Sequence, residues 1–334
     1  MSLRPRPSDF ATIARGFLMG AADIVPGVSG GTVALIVGIY DRLLTAISSF
    51  DAELARLIST RKWRSAAEHV DLRFLLALAI GIVGGFVSLA GVMHHLLEHH
   101  LSLTFAAFFG LILASGLLVG RMCRPDSTLA ATRAIAVGVA AAAAAFWLVT
   151  QPQLASGSGL VYTFLCGSIA ICAMILPGIS GSYLLVLLGM YEPITGLVKR
   201  APRLDVTGDE IVTLVVFIAG CATGLLTFSR LLKLLLARMW TPTMAALCGF
   251  MIGSLYKIWP FQRLDPSRLA VATDAADLKD RLAAMRPCLP EAFDGHTASC
   301  LGIALVAALS VLGADALARR AASGDAAESP SVND

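Results

Sequence analysis

The chain carries one unusual motif twice, each time inside an apolar stretch. Residues 20–40, the first motif, are GAADIVPGVSGGTVALIVGIY, and residues 174–191, the second motif, are MILPGISGSYLLVLLGMY. Six positions match at a constant offset of 151 residues: Pro26, Gly27, Ser29, Gly30, Gly38 and Tyr40 correspond to Pro177, Gly178, Ser180, Gly181, Gly189 and Tyr191. Internal repeats are read before single elements because they set the architecture. The motif therefore predicts a fold made of two related halves.

A second set of matches extends the repeat beyond the motif. At a constant offset of 139 residues, Gly81, Gly85, Gly110 and Ser115 correspond to Gly220, Gly224, Gly249 and Ser254. The twelve-residue change in offset is one longer loop in the first half, DAELARLISTRKWRSAAEH, at residues 51–69. Each half is then a proline-broken element followed by three spans.

Composition places both halves in a membrane. Hydrophobic residues make up 57% of the 334 residues and charged residues 15%, whereas soluble domains average about 25% charged. Apolar stretches fall at about 10–48, 72–97, 101–120, 129–150, 160–199, 209–237, 242–260 and 299–318, and a spanning helix needs about 20 residues. We predict an all-α polytopic membrane protein with a single membrane domain at 1–320 (repeat 1 about 10–150, repeat 2 about 160–318) and a disordered tail at 321–334. The net charge of +3 and the absence of a basic block do not indicate nucleic-acid binding, and we expect no cofactor and no metal.

The distribution of lysine and arginine predicts the topology. If each broken element enters and leaves by the same face, 17 of the 26 cations lie on the side of the N-terminus. If each broken element crosses once, only 8 of them do. Cytoplasmic loops are enriched in lysine and arginine. The count therefore favours two inverted repeats, each a re-entrant helical hairpin plus three transmembrane helices, with both termini in the cytoplasm.

The motif itself predicts a binding site. Proline disfavours helix in the residue before it, and glycine permits a chain reversal, so Pro26, Gly27, Pro177 and Gly178 are expected to form re-entrant turns. Ser29 and Ser180 are good helix N-caps. The half-helices that they begin would present Ser29, Gly30, Gly31, Thr32, Ser180, Gly181 and Ser182 to an anion. Broken helices that meet between inverted repeats are where secondary transporters bind substrate. We predict a transporter, not an enzyme, with an anionic group bound at mid-membrane.

Two charged residues near the motifs have alternative interpretations. An acid inside a membrane segment is a functional hypothesis by default, so Asp23 could be the protonation site that couples transport; it could instead hold the amides of the re-entrant loop. Arg230 lies within a span and could reach the anion, or its side chain could extend to the interface. Arg15 is the second candidate for a cation at the site.

The two motifs allow three other interpretations. Glycine-rich kinks also allow close helix packing. Gly-x-Ser-Gly occurs in both motifs, but a serine hydrolase needs a base within reach of the serine, and His94, His95, His99 and His100 lie in a loop. A small soluble anion could be the substrate instead of a lipid. Cys288 and Cys300 lie twelve residues apart in the polar loop 257–298 and are either disulfide-bonded or free.

With these residues in view, the chain resembles the PopT-type polyprenyl-phosphate (undecaprenyl-phosphate) translocases of bacterial inner membranes. The resemblance rests on GAADIVPGVSGGTVALIVGIYDRLL and ILPGISGSYLLVLLGMYE and covers about residues 10–318. It implies return of undecaprenyl phosphate from the outer to the inner leaflet for cell-envelope synthesis. It also places the family's signature on Asp23 and on the motif residues named above. Inward movement of a negative head opposes the membrane potential, so either consumption of the carrier inside the cell drives the movement, or a proton or sodium ion moves with it as a coupling partner. The oligomeric state is not indicated.

Overall fold

Helices form nearly all of the described part of the chain. A computed structural model describes residues 9–23, 29–151, 157–178, 180–201, 205–266, 284–290 and 292–327. The helices within these ranges are α1 (Asp9–Asp23), α2 (Gly30–Ile36), α3 (Tyr40–Ser48), α4 (Ala52–Ser59), α5 (Trp63–His69), α6 (Leu72–His99), α7 (Leu101–Arg121), α8 (Thr128–Thr150), α9 (Leu160–Ile175), α10 (Gly181–Leu187), α11 (Tyr191–Arg200), α12 (Gly208–Arg238), α13 (Trp240–Ser254) and α14 (Gly295–Ala327). Strands β1 (Gln262–Leu264) and β2 (Met285–Pro287) pair antiparallel.

The membrane-spanning helices agree with the predicted class. Among the described residues, five helices are long and apolar enough to cross a bilayer: α6, α7, α8, α12 and α14. Two bent pairs, α2 with α3 and α10 with α11, turn through 119° and 118°. Apolar side chains such as Ile80 and Val87 on α6 face outward and are 62% and 70% exposed, as lipid-facing positions should be. The chain is an all-α polytopic membrane protein.

The same glycine contacts occur in both halves. An alanine Cβ at Gly81 or Gly85 of α6 would collide with the carbonyl oxygens of Ile13 and Phe17 on α1. In the second half, Gly220 and Gly224 of α12 face the carbonyl oxygens of Phe164 and Ser168 on α9 in the same way. Each partner lies at the repeat offset from its counterpart. Small residues let membrane helices approach closely, so the matched glycines explain why α1 packs on α6 and α9 on α12.

This packing gives a first testable prediction. Gly81→Ala is expected to destabilise the protein by about 1–3 kcal/mol, because its Cβ meets backbone that has no rotamer to adjust. Gly84→Ala, three residues further along the same helix, has nothing within 4 Å of the new Cβ and should leave the melting temperature in detergent unchanged or slightly raised. Equal melting temperatures for the two variants would contradict this packing.

The two halves pack on each other through their spanning helices. The second spanning helix of the first half, α7, packs on the last helix of the second half, α14, where Gly110 contacts the Ala304 carbonyl. Likewise α13 packs on α8, where Gly249 contacts the Gly138 carbonyl. Because helices of each half pack on helices of the other, the described spans form one packed unit.

Ion pairs join α1 and α3 to the start of α6. Asp9 at the start of α1 pairs with Arg73, and Arg42 in the first turn of α3 pairs with Asp71 at 2.7 Å. The surface around these four residues is called the N-terminal face. In the second half, the Tyr162 hydroxyl in the first turn of α9 donates to the Leu188 carbonyl at the end of α10.

The C-terminal part of the chain differs in detail from the expected spans. The last helix runs to Ala327, where alanine-rich sequence favours helix. The predicted span at 242–260 ends as a helix at Ser254. The loop 257–298 contains the β1–β2 ribbon, which the sequence analysis missed. Cys288 and Cys300 are free thiols in the structure and belong to one apolar cluster.

Candidate functional site

The two motifs contact each other directly in the protein interior. The Ser29 hydroxyl donates to the Met174 carbonyl at 2.9 Å, across 145 residues of sequence. The Gly178 amide donates to the Thr32 hydroxyl at 2.9 Å. Ser29 and Thr32 are 2% and 1% exposed. The contacts bring together two segments that the sequence related only by similarity.

Further contacts fix this junction tightly. The Tyr40 hydroxyl donates to the Ile175 carbonyl at 2.9 Å. An alanine Cβ at Gly31 would lie 2.7 Å from that same carbonyl oxygen. Gly178 has φ +93°, a conformation that glycine adopts at little cost, and packs on the backbone of Met251. The glycines are therefore required by close backbone approach and by the turn.

The first half-helix satisfies its own amides. The Gly30 amide donates to Asp23 Oδ1 at 2.6 Å and the Gly31 amide to Ser29 Oγ at 3.1 Å. The Thr32 amide donates to the Ser29 carbonyl at 2.9 Å. The predicted N-cap at Ser29 is confirmed. Because an internal carboxylate already occupies this terminus, the alternative in which Asp23 holds the loop amides matches the geometry.

The second half-helix is arranged differently. Ser180 makes no side-chain capping bond to α10; its hydroxyl lies 2.8 Å from that of Ser182. Ser180 is therefore the N-cap residue of α10, as predicted, but it lacks the side-chain capping bond because its hydroxyl shares a hydrogen bond with a neighbouring serine. At the repeat offset, Met174 occupies the position of Asp23. The second motif carries no carboxylate at that place.

The structure describes the second of the two predicted turns. Pro177 is fully buried and, with Gly178, forms the turn between α9 and α10. Pro26 and Gly27 lie outside the described residues.

Arg230 does not lie at the junction of the motifs. Its guanidinium donates to the carbonyls of Phe50 and Ser48, at 2.5 Å and 3.5 Å. These are unsatisfied acceptors at the C-terminal end of α3, where a cation is favourable. These contacts match the alternative interpretation, in which the exposed Arg230 side chain extends to the interface. Arg15 lies on α1 about two turns before Asp23.

Lys257 was not predicted from the sequence as a site residue. This residue follows α13 and is only 8% exposed. Its Nζ lies 5.2 Å from the ring centroid of Tyr183, in the first turn of α10, and the Tyr183 hydroxyl donates to the Val149 carbonyl at 3.0 Å. A lone lysine in the apolar segment MIGSLYKIWP was the available signal. Lys257 places a cation beside the second motif.

A cleft with a volume of about 680 Å³ lies at the N-terminal face. It is lined in part by Arg42, Arg64 and Arg73. These arginines pair respectively with Asp71, Glu68 and Asp9. Since its arginines face compensating acids, their attraction for a further anion is weakened.

The histidine cluster lies at the exposed end of α6. His94, His95, His99 and His100 are exposed at the end of α6. The His95 and His99 rings stack with centroids 4.4 Å apart. The Ser29 hydroxyl is instead engaged with backbone of the second motif. This arrangement gives no support to a serine nucleophile.

Comparison with known proteins adds a family assignment. A family model described as VCA0040-like, undecaprenyl phosphate translocase-like, matches residues 19–274. A polyprenyl-phosphate transporter of Vibrio cholerae serotype O1 is 40% identical over 252 residues, covering 75% of this chain and 78% of the relative. A polyprenyl-phosphate transporter of Staphylococcus aureus is 31% identical over 258 residues, covering 74% and 85% respectively. No solved structure matches. The matched region includes both motifs, so the chain belongs to the undecaprenyl phosphate translocase-like family.

Proposed function

We propose that this protein returns undecaprenyl phosphate from the outer to the inner leaflet of the bacterial inner membrane, for reuse in peptidoglycan and other envelope polymers. The observation that carries the proposal is the direct contact between the two motifs, Ser29 to Met174 and Gly178 to Thr32. Non-helical backbone is tolerated at membrane depth only inside protein or beside a wet cavity. A charged lipid head needs such a place, because even one charged side chain at the bilayer centre costs about 3 kcal/mol or more.

The topology in this proposal is a pair of re-entrant hairpins that enter from opposite faces. Supporting the first hairpin, Asp9 and Arg42 at its two ends both contact the start of α6. Supporting the second, Arg200 at the end of α11 pairs with Glu210 at the start of α12. The parallel packing of α1 on α6 and of α9 on α12 is consistent with inverted repeats. The excess of cations on the N-terminal face supports its proposed position in the cytoplasm.

The phosphate is proposed to bind at the tips of the hairpins, with the two motifs in different roles. Ser180, Gly181 and Ser182 contribute hydroxyls and amides to the phosphate. Ser29 to Thr32 hold the backbone of the junction, because the Ser29 hydroxyl already accepts from Gly31 and donates to Met174.

The serines give the second prediction, which separates these roles. Ser180→Ala with Ser182→Ala is expected to weaken undecaprenyl phosphate binding at least about tenfold, since hydrogen bonds to a charged group contribute about 1.5–3 kcal/mol each, with little change in melting temperature. Ser29→Ala should lower the melting temperature, because it removes a buried bond between the motifs. Binding to protein in nanodiscs is measured beside thermal unfolding. Wild-type binding by the Ser180/Ser182 double variant would refute their assignment.

The function is tested by the display of undecaprenyl phosphate on the cell surface. Cells that lack this protein, and any second carrier translocase, should accumulate the lipid at the outer leaflet. Re-expression of the wild-type chain should remove it. If the displayed amount does not change on re-expression, the proposed function is wrong.

A further inference from the structure

We propose that Lys257 is the cation that binds the phosphate head, in a cavity that Lys257 itself lines, with the Tyr183 ring of the second motif near its ammonium. The inference rests on the proposed function and deepens it, because it names the charged partner of the head group. It also makes the two halves of the repeat unequal, with the anion bound to the second half.

The position of Lys257 is fixed relative to the second motif. Its amide donates to the Ser254 carbonyl at 3.0 Å, in the turn that ends α13. An added Cβ on Gly178 would lie 2.9 Å from the Ser254 hydroxyl, so the same end of α13 supports the motif's turn. On its other side the ammonium lies near the Tyr183 ring. One short segment therefore holds both the hairpin turn and the lysine.

A cavity adjoins this lysine. It has a volume of about 270 Å³ and is lined by Val149, Thr150, Tyr256, Lys257, Met285, Arg286 and Pro287. Because one water occupies about 30 Å³ in the liquid, the space admits a phosphate group together with several waters. Its apolar side chains, Val149, Met285 and Pro287, suit the first carbons of a prenyl chain. Polar and apolar walls in one cavity match the two ends of a lipid phosphate.

The two cations of the cavity differ in their environments. Arg286 is 56% exposed at its side chain and pairs with Asp265 at 2.6 Å. Arg286 therefore lies at the solvent-exposed rim of the cavity. Lys257 is buried, and attraction to an anion is stronger where water is excluded. We assign phosphate binding to Lys257 and use Arg286 as its control.

The repeat itself shows the asymmetry. At the offset of 139 residues, Leu118 occupies the position of Lys257 in the first half. At the offset of 151 residues, Met174 occupies the position of Asp23 in the second half. The first half has the acid without the lysine, and the second has the lysine without the acid. A phosphate is repelled by a carboxylate and attracted by an ammonium, so it binds on the second half.

The test compares lipids that differ only in the head group. Wild-type protein and the variants Lys257→Met, Lys257→Arg and Arg286→Gln are reconstituted in nanodiscs, and native mass spectrometry measures binding of undecaprenyl phosphate and of undecaprenol. Lys257→Met should weaken phosphate-lipid binding by about ten- to a hundredfold and remove the preference over undecaprenol. Lys257→Arg, which keeps the charge, should restore most of that preference. Arg286→Gln should have a smaller effect than Lys257→Met.

The outcomes separate this inference from the proposed function. If the wild-type protein shows no preference for the phosphate lipid, the proposed function fails whatever the variants do. If the wild-type prefers the phosphate lipid and Lys257→Met does so equally, the assignment of Lys257 is overturned. Thermal unfolding identifies a variant that has lost its fold; Lys257→Gln then replaces Lys257→Met, and wild-type preference in that variant overturns the assignment as well.

Discussion

Gly31→Ala is expected to abolish carrier transport by separating the two motifs. The new Cβ would lie 2.7 Å from the Ile175 carbonyl oxygen and 2.9 Å from that of Met174. Both obstacles are backbone, so no rotamer change relieves them, and overpacking of this kind costs about 1–3 kcal/mol. Relief by displacement of α2 also strains the Ser29 bond to Met174, which joins the same two segments. A steric clash at one residue is therefore expected to disrupt the contact between the two motifs.

The measurement pairs surface display of undecaprenyl phosphate with the melting temperature of the purified protein. Gly91→Ala on α6 is the matched control, since nothing lies within 4 Å of its added Cβ, and it should behave as wild type in both assays. Gly31→Ala should display the lipid as strongly as cells without the protein. Normal removal of the lipid by Gly31→Ala would show that the junction is not needed for transport.

Features that depend on local backbone chemistry could be predicted from the sequence. Gly38 and Gly189 match at the repeat offset, and both have positive φ, +70° and +66°. Ser29 caps α2 as expected of a serine before a half-helix. Such features depend on a few adjacent residues. The sequence therefore predicted the cap of α2 and the turn at Pro177 and Gly178, although it did not predict the bends after α2 and α10 at the matched glycines.

Features that depend on long side chains and distant partners could not be predicted in the same way. Arg230 and Lys257 both lie in apolar sequence, and hydropathy does not distinguish them. The end of α3 takes the first as a donor to carbonyls, while the end of α13 places the second beside α10. The choice between the cations was made by tertiary packing. Ser180 differed from Ser29 because a neighbouring serine, Ser182, competes for its hydroxyl.

Asp23→Asn is expected to fold and to lose the response of transport to a proton gradient. We propose that Asp23 carries the coupling proton, because inward movement of a negative head opposes the membrane potential by about 2.3 kcal/mol per charge per 100 mV, and one proton cancels one such charge. Asparagine still offers an oxygen to the Gly30 amide, which Asp23 accepts at 2.6 Å. Asp23→Ala leaves that amide without this acceptor, and a buried unsatisfied donor costs about 1–3 kcal/mol. The alanine variant should therefore lose stability as well as coupling.

The measurement is translocation of undecaprenyl phosphate in vesicles, at several pH values and with or without an imposed proton gradient. Asp41→Asn supplies a control for the same chemical change, since Asp41 is exposed in the first turn of α3; it should keep the wild-type response. Asp23→Asn should transport at a rate independent of the gradient. If its response to the gradient equals that of the wild type, Asp23 does not couple transport. Its carboxylate then serves only to hold the Gly30 amide, and the energy for inward movement must come from consumption of the carrier inside the cell or from another ion.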